Sequence, residues 1–332
     1  MNAIKSLLCL TLGISSVFTA GETLARVNVA ASFSITEDIV REIGKDRVTV
    51  TSVIPRGSNP HSYDLRPQDL ITLEKADIVF LTGLGFDDFL KRWSDTAKNR
   101  NKIIDISQGI KPLRSTDADD DGEKETVGHH HHEEDHDHEH HHDHEEHRHG
   151  GHHHHHHGGT DPHAWQNPLN GAIYAENIRK ELCGKEPDSC AFFTENAAIY
   201  VKTLKDLDAR YQERFSGIPE HNRIMITTHD AFNYLADHYR IQILAPRGIT
   251  DSHEPSAGDI ARIEELMKEN KVRAVFIENL SNNTAVEELS RKNGDGINGI
   301  LYTDSLTSEP EGNTYLKLIE HNLNAIWSAM SE

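Results

Sequence analysis

Ala191-Phe192-Phe193-Thr194-Glu195-Asn196-Ala197-Ala198-Ile199-Tyr200-Val201-Lys202-Thr203-Leu204 opens a pattern that continues through Leu207, Tyr211 and Phe215. Phe192, Phe193, Asn196, Ile199, Tyr200 and Leu204 recur in it at helical spacing, which puts them along one face. Over Asp188 to Phe215 the spacing predicts one helix of about 28 residues, roughly 40 Å long at the α-helical rise. Short apolar runs flank it on both sides. Val27-Ala31, Val48-Ile54, Ile78-Thr82 and Lys102-Ile106 precede it, and Arg223-Thr227, Ile241-Ala245, Val272-Ile277 and Ile300-Tyr302 follow it. Runs of this kind read as buried parallel strands. Between them Ile35-Ile43, Pro67-Lys75 and Ile260-Lys268 read as helices, with Pro67 suited to a first turn and Ser256 to a cap. The expected fold class is therefore α/β: two βα lobes, each with a parallel sheet, joined by one long helix that resists a wide hinge. The expected boundaries are 26–187 for the first lobe, 188–215 for the connecting helix and 216–332 for the second lobe.

Residues 1–25 read as a signal peptide. Lys5 precedes an apolar run from Leu7 to Phe18, and Thr23 and Ala25 suit the −3 and −1 positions of a cleavage site after Ala25. Cys9 lies inside the apolar run with no small residue before it, which argues against a lipid-anchored cysteine. Export to the periplasm is expected, and no later segment reaches the ~20 apolar residues that a membrane span needs. Cleavage would leave Cys183 and Cys190, close together in an oxidising compartment. They read as a local disulfide, with a structural zinc pair as the alternative.

From His129 to His157, 18 of 29 residues are histidine: His129, His130, His131, His132, His136, His138, His140, His141, His142, His144, His147, His149, His152, His153, His154, His155, His156 and His157. Most of the others are acidic. Neutral imidazole is the commonest protein ligand for zinc and copper, and with an ordinary pKa of ~6.5 most of these rings are unprotonated at pH 7. The surrounding stretch 117–159 has almost no apolar residue with which to offset the entropy of ordering, so a disordered loop of weak metal sites is expected. Two fits to HExxH and one to HxxEH occur inside it, but a catalytic HExxH needs a helix with an apolar face, and none exists here. An expression tag fits poorly, because the six consecutive histidines sit mid-chain behind mixed His/Asp/Glu sequence. The stretch also carries 14 acids against Lys124 and Arg148, so it supplies −12 of the formal net charge of −20. The remainder is mildly acidic, which gives no support to nucleic-acid binding.

Seven histidines lie elsewhere: His61, His163, His221, His229, His238, His253 and His321. His61 follows Val48-Ile54 in a Pro/Gly-rich connection, and His229 follows Arg223-Thr227. Asp304 follows Ile300-Tyr302. All three stand at the carboxyl ends of expected strands, where open α/β sheets place their ligands. His163 stands where the His-rich stretch rejoins the fold. Together these four make an N3O set suited to zinc, two from each lobe. His221 and His238 read as ordinary polar positions, and His321 as solvent-facing on a C-terminal amphipathic helix.

Five segments carry a resemblance. Asn59-Pro60-His61-Ser62-Tyr63-Asp64-Leu65-Arg66-Pro67, Asp161-Pro162-His163-Ala164-Trp165, Thr228-His229-Asp230-Ala231-Phe232-Asn233-Tyr234-Leu235, Glu254-Pro255-Ser256-Ala257 and Asp304-Ser305-Leu306 resemble the zinc/manganese-specific solute-binding proteins of bacterial ABC transporters. The resemblance runs from about Val27 to the C-terminus. It implies two βα lobes joined by a rigid helix, metal in the cleft between them, and metal ligation by His61, His163, His229 and Asp304. Manganese-type members carry Glu at the third ligand position, where this chain has His229, and imidazole favours zinc over hard manganese. His253 departs from the resemblance, and is either a relay ligand or a loop histidine. The implied function is capture of Zn2+ and its delivery to an ABC-type membrane permease. A monomer without enzymatic activity is expected, with a periplasmic zinc chaperone as a further candidate partner. The competing readings are a manganese or iron receptor of the same class, and a zinc buffer or storage protein.

Overall fold

The computed structural model describes residues 26–96, 102–114, 159–248, 254–270, 272, 274–294 and 296–331. The expected signal peptide, the histidines of 129–157 and His253 lie outside the described residues.

Two four-stranded sheets, all parallel, form the frame. The first contains β1 (Val27–Ala31), β2 (Val48–Ser52), β3 (Ile78–Leu81) and β4 (Ile103–Asp105), in the order β2-β1-β3-β4. The second repeats that order with β5 (Ile224–Ile226), β6 (Gln242–Leu244), β7 (Ala274–Glu278) and β8 (Gly299–Leu301), as β6-β5-β7-β8. Helices α1 (Ser34–Gly44), α2 (Pro67–Lys75), α3 (Asp88–Thr96), α6 (Asn233–Tyr239), α7 (Ala257–Asn270) and α8 (Thr284–Asn293) connect the strands, and α9 (Tyr315–Ser331) closes the chain. In each sheet the chain reverses its winding between the two central strands, which makes the carboxyl ends of those strands the natural ligand position.

The strands differ from the sequence expectation in one respect. Only the central ones are enclosed: β3 and β5 are buried throughout, whereas β2 is half exposed and β4, β6 and β8 lie on sheet edges with one buried residue or none. An edge strand is covered by helices less completely than a central one, and an apolar run alone does not tell the two apart. The described strands are also one or two residues shorter than most of the runs that announced them.

The hairpin of α4 (Pro168–Lys185) and α5 (Cys190–Ser216) lies between the sheets in sequence. Pro168 occupies the first turn of α4, and the Asn167 side chain accepts from the Leu169 N–H as its cap. Cys183 and Cys190 are joined by a disulfide across the hairpin turn. The long helix starts at Cys190 rather than Asp188, because Pro187–Ser189 forms its own 3-10 turn. Its buried face is Phe193, Ala197, Tyr200, Leu204, Leu207, Tyr211 and Phe215. Ile199 does not belong to that face: it stands one residue, about 100°, away from Tyr200 and is 61% exposed. Asn196 instead ties the helix to α1 by donating to the Ile43 carbonyl.

One apolar cluster runs from Val29, Ile39 and Phe80 of the first lobe through the long helix to Met225, Phe276 and Leu301 of the second. The lobes therefore share a core. Hydrogen bonds add to it: Trp165 Nε1 donates to the Thr303 carbonyl at 2.9 Å, Leu306 N–H to Ser34 Oγ at 2.9 Å, and Tyr315 OH to the Trp165 carbonyl at 2.6 Å. Separating the lobes would expose apolar surface and break these bonds together, so the fold opposes wide opening.

Candidate metal centre

The sheets present their carboxyl ends to a common cleft, and His61, His163, His229 and Asp304 converge there with one ligand atom from each within 4.8 Å of all the others. Their placement follows from local sequence. Pro60 starts a 3-10 turn, Pro60–Ser62, beyond β2, and Asn59 Oδ1 accepts the His61 N–H at 2.9 Å, which sets the turn. His163 precedes the turn Ala164–Gln166 at the entrance to α4. His229 lies just past β5, one of the two central strands of its sheet, and Asp304 just past the edge strand β8.

The Nε2 atoms face one another and the carboxylate. His61 Nε2 lies 3.3 Å from His163 Nε2 and 3.4 Å from Asp304 Oδ2, His229 Nε2 lies 3.4 Å from Asp304 Oδ2, and His163 Nε2 lies 3.5 Å from Asp304 Oδ1. A tetrahedron with metal–ligand bonds of ~2.05 Å has edges of ~3.3 Å, so these four separations are close to those around an ion of zinc-like bond length, and the remaining ligand atoms lie within 4.8 Å of one another. Both oxygens of Asp304 face imidazoles. His229 Nε2 and Asp304 Oδ1 are buried without a hydrogen-bond partner, and each such atom costs about 1–3 kcal/mol unless something else satisfies it. A cation between them would satisfy both, so the donor set fits a borderline transition metal.

Two buried carboxylates sit behind the histidines. Asp161 Oδ1 accepts from both the backbone N–H of His163, at 2.9 Å, and its Nδ1, at 2.8 Å. Glu278, at the end of β7, accepts from the Thr228 and His229 N–H groups on Oε1, both at 2.9 Å, and from His229 Nδ1 on Oε2. Sequence reasoning missed both roles. Asp161 stood inside a quoted motif, and the signal for Glu278 was an acid directly after the apolar run Val272-Ile277, at a strand end that faces His229.

Electrostatics follow from this enclosure. Burial pushes the His61 imidazole below its ordinary value, more than Asp304 restores. Burial would also lower His229, but the neighbouring Glu278 and Asp304 carboxylates outweigh it and hold the ring well above the ordinary value. For Asp304 burial acts upward, and His229 and His61 outweigh it and hold the carboxyl well below the usual range. The remaining described histidines stay out of the cluster. His238 meets Asp208 Oδ1 at 2.6 Å and Gln212, and His221 occupies the turn Glu220–Asn222. His321 is half-buried rather than solvent-facing, because its ring packs on Tyr302 and its Nε2 lies 2.9 Å from the Ile300 carbonyl.

Aromatic rings close the cleft on the first-lobe side. Phe86 stands edge-on to His61, and Trp165 packs on His163, Phe33 and Phe86. A groove of about 900 Å³ is lined by residues that include Arg114, Asp230 and Arg247, but by none of the four clustered residues.

Residues 29–329 match the model of the family described as zinc-uptake complex component A, periplasmic. The metal ABC transporter substrate-binding lipoprotein SsaB of Streptococcus sanguinis is 27% identical over 98% of this chain and 96% of its own. Among solved structures, the Mn-bound periplasmic metal binding protein of Candidatus Liberibacter asiaticus superposes with a TM-score of 0.74 at 24% identity, covering 92% of this chain and all of that one. The periplasmic zinc binding protein TroA of Treponema pallidum gives 0.73 at 20% identity, over 92% and 99%. At these identities the two structures establish the same two-lobed fold.

Proposed function

We propose that this chain, which belongs to the family of periplasmic zinc-uptake complex components A, captures Zn2+ and hands it to an ABC-type membrane permease. The protein is a substrate-binding component of a metal ABC transporter. Zinc as the cargo, and His61, His163, His229 and Asp304 as its ligands, are the finer reading. One observation carries it: three imidazole nitrogens and a carboxylate, drawn from both lobes, face one another at separations that suit four-coordinate zinc. Imidazole-rich N3O sets favour zinc over manganese. The relatives do not decide the matter, since one neighbour is named for zinc and another was solved with manganese.

Within this reading four protein ligands leave no open position for an activated water, so the site serves binding rather than hydrolysis. The 18 histidines of 129–157 supply weak sites that raise the zinc concentration beside the cleft, with effective concentrations of ~mM for a short tether. The protein acts in the periplasm after cleavage following Ala25.

Equilibrium competition between Zn2+ and Mn2+ tests the cargo. Zinc is expected to stay bound against a large excess of manganese. Displacement at comparable concentrations would overturn the zinc assignment in favour of manganese.

A further inference from the structure

The cluster is braced unevenly. His163 and His229 each have a carboxylate that holds the ring by Nδ1 and the same residue's backbone by its N–H. One clamp comes from each lobe. Asp161 is fully buried and Glu278 is 1% exposed. His61 has no such carboxylate among the described residues; its backbone N–H is held by the neutral amide of Asn59, and its ring touches Phe86.

An imidazole carries its proton on Nδ1 or on Nε2, and only the nitrogen without it can bind a metal. A carboxylate accepting at Nδ1 fixes the proton there and turns the Nε2 lone pair outward. In His163 and His229 the Nε2 atoms so presented are the ones that face Asp304. The geometry points to Asp161 and Glu278 as positioning residues for metal capture: they lock His163 and His229 in the Nδ1–H tautomer, and leave His61 as the ligand free to arrive last and leave first. This inference rests on the cluster being the cargo site.

The two clamps differ in a way that makes the idea testable. Glu278 accepts on both oxygens: Thr228 and His229 N–H groups on Oε1, His229 Nδ1 and the Ser281 hydroxyl on Oε2. A glutamine cannot replace it, because its NH2 must face one of those donor pairs. The backbone pair cannot change, so the cheapest relief is to point the NH2 at the ring and move the His229 proton to Nε2, which blocks metal binding. Asp161 takes both His163 donors on Oδ1, and its Oδ2 is buried without a partner. An asparagine there can keep both bonds with its carbonyl oxygen and place its NH2 on the unused side.

The experiment measures Zn2+ affinity of the whole chain by competition with a chromophoric chelator, and the ring 15N shifts of the metal-free protein, for wild type, Glu278→Gln, Asp161→Asn and Asp161→Ala. Glu278→Gln and Asp161→Ala are expected to weaken zinc by about 10–100-fold, the usual cost of losing such a partner. Asp161→Asn should lose several-fold less than either. At a pH high enough for the metal-free His229 ring to be neutral, it should read as the Nδ1–H tautomer in wild type and shift toward Nε2–H in Glu278→Gln, while His61 shows a mixture in both. If both amide variants lose zinc equally with unchanged tautomers, the carboxylates act through bare charge and the positioning role is wrong. Should Glu278→Gln fail to fold, the contrast between Asp161→Ala and Asp161→Asn decides by itself, and equal losses there overturn the proposal. Failure of the underlying reading looks different: His229→Ala would then bind zinc as tightly as wild type.

Discussion

Two regions of this chain hold histidines in opposite ways. The run 129–157 has 18 of them among 29 residues with hardly an apolar neighbour, while the cleft cluster uses only three, His61, His163 and His229, with Asp304. In the cluster His163 and His229 are fully buried, their Nδ1 atoms are claimed by carboxylates, and their Nε2 atoms face a common point. Ordering those groups is accomplished by the fold itself, and on the proposed reading the histidines of 129–157, whose sequence offers hardly any apolar surface, would be ordered at the metal's expense. The comparison teaches that the number of ligands sets capacity and their placement sets affinity.

The largest effect should come from removing a placed ligand. His229→Ala is expected to weaken the tight zinc site by more than the ~10–100-fold typical of an outer partner, while His321→Ala leaves it within about twofold; titration of both variants against a competing chelator gives the answer, and equal effects would erase the distinction between the cluster and a histidine outside it.

The next lies in pH. His229 in the metal-free protein holds its proton to values above the ordinary imidazole range, because Glu278 and Asp304 favour its charged form. Zinc must displace that proton, so affinity falls as pH falls, and the fall begins above pH ~6.5 with a limiting slope of about tenfold per unit. Histidines of ordinary pKa lose zinc only through ~6.5 and below. Proton release on zinc binding, read from calorimetry in buffers of different ionisation enthalpy at pH 7.5, should therefore be larger for the whole chain than for His229→Ala.

His229→Glu exchanges an imidazole for a hard oxygen donor and should move the Zn2+/Mn2+ competition toward manganese, with an unchanged ratio counting against the ligand-type argument. Glu278 behind it makes a second consequence plain: two carboxylates would then face each other, so one of them should hold a proton above the ordinary carboxylate range.

The scaffold effect is smaller for metal and larger for stability. Leu204→Ala on the buried face of the long helix should cost about 2–5 kcal/mol, and Ile199→Ala, on the face that looks outward, no more than about 0.5 kcal/mol. Thermal unfolding of the metal-free variants distinguishes them.

Much of the fold could be read from the chain because parallel strands and a long amphipathic helix leave strong periodic signals. All eight apolar runs contain or overlap a strand, and Pro67–Lys75 matches the helix residue for residue. Exposure was less legible. Val48-Ile54 looked buried and is an edge strand, since position in the sheet depends on pairing partners far away in sequence. Ile199 looked like part of a stripe that a 100° step takes past it. At the site, strand-end positions brought out His61, His229 and Asp304, because loops at those ends face the cleft whatever the rest of the chain does. The clamps were hidden for the opposite reason: Glu278 lies 49 residues from His229 in sequence, and only the adjacency of β5 and β7 brings them together.

The central claim is that the cleft cluster, not the histidine run, is the receptor site. Zinc titration of the chain lacking residues 117–159, beside the full chain, tests it most directly with bound metal counted in each. The account predicts one tightly bound zinc in both, with the weaker equivalents lost from the shortened chain and its loading slowed at substoichiometric zinc. Loss of the tight site on deletion would contradict it.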